Sequence, residues 1–89
     1  MSDRYSVRFR PSAEKQLDRL DKPVRARILR AVTALADDPR PPGVIRLSGA
    51  GDLWRVRAGD YRVSYEIRDT ELIVRVVRVA HHGAVYRDI

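Results

Sequence analysis

A chain of 89 residues has room for one domain and a small core, since chains divide into separate cores only well above this size and one this short buries roughly 60% of its unfolded surface. There is no cysteine, and the chain opens on the charged stretch "MSDRYSVRFR" rather than an apolar one. Disulfide scaffolding, secretion and a membrane span are therefore not expected, and the expected compartment is the cytoplasm. The net charge is +6; Lys15 and Lys22 are two of eighteen cations, and the other sixteen are arginines, whose planar fork matches phosphate oxygens, so polyanions are the first partner class to consider.

A bias toward arginine codons would produce the same ratio, so placement has to decide. In chain order, Tyr5, Val7 and Phe9 alternate with Ser6, Arg8 and Arg10, the period of a half-buried strand that should stop at Pro11. Ser12 is placed to cap a first helix carrying Ala13, Leu17 and Leu20. Asp21-Lys22-Pro23 breaks the chain and restarts it with proline near a first helical position, and Val24, Ile28, Ala31, Val32 and Leu35 give a second, longer apolar stripe. Two such helices joined by so few residues should form an antiparallel hairpin lying on a sheet. "DDPRPPG", residues 37 to 43, is a stiff surface connection too short to divide domains.

From Ile45 the texture is strand: "VIRLSGAG", "DLWRVRA", "DYRVSYEIR" and "ELIVRVVRVAHH", with turns at Gly59-Asp60 and Asp69-Thr70. The order of elements implies an α+β fold: an N-terminal strand, a helical hairpin, then an antiparallel meander, with helices on one face of a small twisted sheet. Residues 1–89 form a single domain, and the other face of the sheet is left uncovered.

Alternation assigns that open face its residues. Trp54, Val56 and Ala58 turn inward, leaving Arg55 and Arg57 outward, and Tyr61, Val63, Tyr65 and Ile67 turn inward, leaving Arg62, Ser64 and Glu66. Pairing across Gly59 brings Arg55, Arg57 and Arg62 within side-chain reach. An ordinary solvated face is the competing explanation, but like charges on adjacent strands repel, so a cluster of three suggests an anion to meet. On the last strand His82 shares the parity of Arg78 and should face the open side, with Arg75 at the core edge; a bulge would exchange these assignments. Glu66 is expected to pair with Arg62 or its neighbours.

At "LSGAGDLWRVRAGDYRVSYEIRD" followed by "VRVAHHGAVYRDI" the chain resembles the RelE/ParE toxin superfamily, and more closely its RelE branch of ribosome-dependent mRNA endonucleases. The resemblance spans essentially the whole chain. It implies a type II toxin held in a hetero-oligomer by a cognate acidic antitoxin that wraps the basic surface. It further implies a ribosome with mRNA in its A site as target, and no cofactor. Arg55 and Arg57 stand where the nuclease branch carries a basic-x-basic pair, Arg62 where it carries the arginine of a tyrosine-arginine step, and Tyr86 where it carries a C-terminal tyrosine. His82 stands where the branch has an arginine.

RNA cleavage without a metal needs a base for the 2′-hydroxyl, cations around the pentavalent phosphorus and an acid for the departing 5′-oxygen. Arginine stays protonated, so Arg55, Arg57, Arg62 and Arg78 are phosphate-binding groups, with Arg62 the clamp closest to the chemistry. His82 or Tyr86 supplies the acid. The carboxylates are scattered, and neither a phosphate-binding glycine loop nor a zinc spacing occurs. Two alternatives remain open: a ParE-like inhibitor that binds DNA gyrase without nuclease activity, and a decayed toxin that only binds antitoxin.

Overall fold

The computed structural model describes residues 4–47 and 52–82. The elements run β1 (Ser6–Phe9), α1 (Pro11–Asp18), α2 (Lys22–Ala34), β2 (Ile45–Arg46), β3 (Leu53–Ala58), β4 (Tyr61–Arg68) and β5 (Ile73–His81). The five strands form one sheet in the order β1-β5-β4-β3-β2. Strands β2 to β5 are the expected antiparallel meander, whereas β1 returns to lie parallel to β5, with Ser6 opposite Ile73 and Phe9 opposite Val76.

Both helices begin on proline-bearing turns. Pro11 is itself the first residue of α1, where its missing N–H costs nothing, and Arg10 is the N-cap with no side-chain cap bond, so Ser12 lies inside the helix rather than at its cap. Ala13 and Leu17 of α1 and Ile28 and Val32 of α2 are buried against the sheet, followed by Leu35 just beyond α2. Facing them are Val63, Tyr65, Ile67, Val74 and Val76, each at most 1% exposed, so the helices cover one sheet face and only that face. No helix among the described residues is long and apolar enough to cross a membrane.

Strand β1 ends before β5 does, which would leave the outer edge of β5 bare beyond Val76. The Gln16 side chain on α1 takes over: its Oε1 accepts from the backbone N–H of Val79 at 2.8 Å. The chain between α2 and β2 is tied down as well. Buried Tyr65 donates to the Pro39 carbonyl at 2.7 Å. Arg40 donates twice to Asp69, at 3.3 and 2.9 Å, and lies 5.1 Å from the centre of the Trp54 ring. Tyr5 donates to the same carboxylate at 2.6 Å, joining the start of the chain to the β4–β5 turn.

Candidate active site

Strands β3 and β4 supply the core of the open face. They are joined by a two-residue turn in which Gly59, at φ +63°, takes the first central position as a type II′ hairpin requires. That turn sets the register: Arg57 stands directly opposite Arg62, and Arg55 opposite Ser64. Edge strand β2 adds Ile45 opposite Arg55. Together Gly43, Ile45, Arg55, Arg57 and Arg62 line a cavity of about 230 Å³. The three arginines grouped from the sequence therefore meet in one concavity; its rim of Gly43 and Ile45 had no signal in the sequence, since a two-residue strand carries no usable periodicity.

Two contacts fix the guanidinium groups. Arg57 Nε donates to the Gly59 carbonyl at 3.0 Å, folding the side chain back over its own turn. Arg62 Nη2 lies 2.8 Å from His82 Nδ1, and the His82 backbone N–H donates to the Asp60 carbonyl at 2.9 Å, so the end of β5 is fastened to the same hairpin. His82 thus falls on the open side, in step with Ala80 opposite Arg62 and Arg78 opposite Ser64. His81 points the other way and meets the Tyr61 ring edge-on, with centroids 5.3 Å apart.

The parity along β5 is not continuous. A register shift between Ser64 and Tyr65 inserts one extra residue, Val77, so that Tyr65 pairs with Val76 while Ser64 pairs with Arg78. The bulge keeps Val74, Val76 and Val79 all buried, and it also brings Arg75 onto the open face, opposite Glu66. The expectation that Arg75 would sit at the core edge is thereby corrected. Glu66 has Arg75 as its ion-pair partner, at a loose 3.9 Å, rather than Arg62. Arg78 shares the face but not the cavity lining. Tyr86 lies outside the described residues.

The electrostatics of this face are one-sided, since Arg55, Arg57, Arg62, Arg75 and Arg78 share it with Glu66. The carboxylate Asp69 lies at the far end of β4, where bonds from Arg40 and then Tyr5 hold its carboxyl below the usual carboxylate range. Among the described residues no three His, Asp or Glu side chains converge as a metal site would need. The arrangement can grip a phosphate between facing arginines and present an imidazole beside it.

Residues 7–86 match the ParE toxin family of type II toxin-antitoxin systems, so a fold of two helices on a five-stranded sheet with a basic open face defines a toxin of that class, and the chain belongs to this family. Within the wider RelE/ParE superfamily its relatives place it in the RelE-like branch. It is 33% identical over 78 residues to a RelE-like toxin protein of Escherichia coli, covering 85% of this chain and 81% of that one. It is 30% identical over 84 residues to toxin RelG of Mycobacterium tuberculosis, covering 93% and 97%. Among solved structures, the archaeal RelE–RelB complex of Pyrococcus horikoshii OT3 superimposes with a TM-score of 0.78 at 32% identity, over 89% of this chain and 96% of that one.

Proposed function

We propose that this RelE-type toxin cleaves mRNA in the ribosomal A site, without a metal, and so arrests translation in the cytoplasm until an acidic antitoxin binds it. The observation that carries the reading is the cross-strand pair Arg57–Arg62, which with Arg55 lines one cavity and has the His82 imidazole 2.8 Å from Arg62. Opposed like charges destabilise an empty hairpin, and a phosphate seated between them reverses that sign. On a pentavalent phosphorus these donors meet charge that grows toward the transition state, which is where fixed donors accelerate a reaction. The 2′-oxygen attacks, the bond to the 5′-oxygen breaks, and a proton must reach that leaving oxygen; His82 stands beside the clamp and Tyr86 is the second candidate. The same basic face, on a chain of net charge +6, suits an acidic segment that folds on contact, and the archaeal relative was solved with its RelB partner.

The match to the ParE toxin family keeps a second reading in view: a ParE-like toxin that inhibits DNA gyrase by binding alone. Inducing the chain while mapping mRNA 5′ ends and measuring plasmid supercoiling separates the two. New ends clustered within translated codons, with supercoiling unchanged, are expected; relaxed plasmid with intact messages would overturn the nuclease reading. Saturation with a cognate acidic antitoxin should abolish cleavage.

A further inference from the structure

We propose that Arg62 is the gate on His82: in the empty site it holds the imidazole neutral with its proton on Nε2, and a phosphate entering the cavity draws the guanidinium away and lets the ring take up a second proton. The inference rests on the nuclease reading only for its use in cleavage; the gate itself is a property of the two side chains.

The contact dictates the resting state. A guanidinium has five N–H groups and no acceptor, so at 2.8 Å between Arg62 Nη2 and His82 Nδ1 the ring nitrogen must be the acceptor. An imidazolium carries hydrogen on both nitrogens and cannot make that bond. The neutral ring therefore has its proton on Nε2, and in this state it has no strongly acidic proton to give. A His82 left in this pose would make a poor acid.

The cavity supplies the switch. Arg62 lines it together with Arg55 and Arg57, so a phosphate lodged there competes for the same N–H groups. A bond from guanidinium to an anionic oxygen is shorter and roughly twice as strong as one to a neutral acceptor, so the phosphate wins Nη2. Nδ1 is then released, and the anion offsets the positive charge that had opposed protonation. Among the described residues, the charged and titratable groups on the neighbouring elements are Arg62 on β4 and Arg57 facing it on β3, both engaged by the anion, Asp60 in the turn whose carbonyl holds the His82 backbone, and Arg78 and His81 on β5. His82 takes one proton from solvent as RNA binds. It returns that proton to the 5′-oxygen as the P–O5′ bond breaks, while the 2′-oxygen loses its own proton to solvent and closes onto phosphorus. The proton count balances over the cycle, and the acid is armed only when a phosphate is in place.

Two-dimensional ¹⁵N NMR of the histidine rings in the purified protein reads both the tautomer and the titration midpoint. The empty protein should show His82 as the Nε2–H tautomer, and saturating inorganic phosphate should raise its midpoint by about 0.5 pH unit or more, a threefold gain in proton affinity. Arg62→Met should raise the midpoint without phosphate and mix the two tautomers. Arg62→Lys, which restores a donor, should bring the Nε2–H form back. The His81 signals, in contact with Tyr61 instead, should follow none of these changes. A wild-type tautomer and midpoint in Arg62→Met, or a midpoint unmoved by phosphate, would overturn the gate. The readout needs no turnover: a phosphate-shifted His82 in a protein that never cuts RNA would sink the nuclease reading and keep the gate, and cleavage with an unmoved midpoint would do the reverse.

Discussion

Replacing Tyr65 by phenylalanine removes one oxygen from the best-buried aromatic among the described residues and should loosen the cavity rim from behind. The ring is fully buried and its packing is retained, so the cost lies in the hydroxyl, which donates to the Pro39 carbonyl at 2.7 Å. Pro39 is itself buried, and no water can replace the lost donor without opening the loop. A buried acceptor left without its partner costs about 1 to 3 kcal/mol, and about 1.5 kcal/mol is expected here because both members of the bond are neutral. In a domain of 89 residues that lowers Tm by roughly 6 to 12 °C. Urea melts should show a lower midpoint with an unchanged slope, and amide exchange should quicken between Pro39 and Ile45, the segment that ends in the cavity rim. The same hydroxyl gives an alkaline signature. Burial pushes it up to about 12 from the ordinary 10, so it remains protonated in the fold where the unfolded chain has ionised it. That contribution is complete below pH 10 and is lost as pH rises toward 12, a decline that Tyr65→Phe should lack. A stability change under about 0.5 kcal/mol would show that the Pro39 carbonyl finds water in the native state, and the reasoning would fail.

Arg62→Ala should cut ribosome-dependent cleavage by about 10² to 10³-fold, as loss of one transition-state donor does, while urea melts stay near wild type because the side chain lines a cavity rather than the core. His82→Arg retains a cation but no titrating group; single-turnover cleavage should drop by about 10²-fold and lose its slope between about pH 5.5 and 8.5, whereas undiminished cleavage would assign His82 a charge-only role and leave the proton to Tyr86. Asp69 is held low by Arg40 and Tyr5, so its contribution to stability is present above the ordinary carboxylate range and lost as pH falls through its lowered value. Acid melts of Asp69→Asn should accordingly be less stable than wild type near neutrality and converge with it at low pH; parallel curves would exclude this tie.

The arginine face was legible because three facts are local. Period-two alternation sorts Arg55, Arg57 and Arg62 to one side, the Gly59-Asp60 turn fixes the register, and the helices have apolar stripes to cover the other side. The misplacement of Arg75 shows where local information ends. In "IVRVVRVAH" every residue but arginine and histidine suits either face, so the strand itself does not say where its extra residue goes; the demand to bury Val74, Val76 and Val79 together settles it, and that demand arises from the helices opposite. The parallel partner of β1 was equally invisible, as four alternating residues carry no label for their neighbour. Ser12 misled because a proline at the first helical position supplies a start that needs no side-chain cap. The link from Tyr5 and Arg40 to Asp69 joins positions separated by 64 and 29 residues, beyond any spacing rule.

The pairing of β1 with β5 also orders events during synthesis. Strand β1, the earliest of the described strands, has as its sheet neighbour the last one described, and α1 rests on that same late strand. Until residues 73 to 81 have emerged, β1 is an edge without a mate, α1 has no surface to cover and His82 cannot reach Arg62. Contacts between distant parts of a chain form slowly and only when both parts are free. The cavity face and the histidine beside it are consequently brought together only by the final strand of the described fold, so the site is the last part of the molecule to be completed rather than a feature of any early fragment.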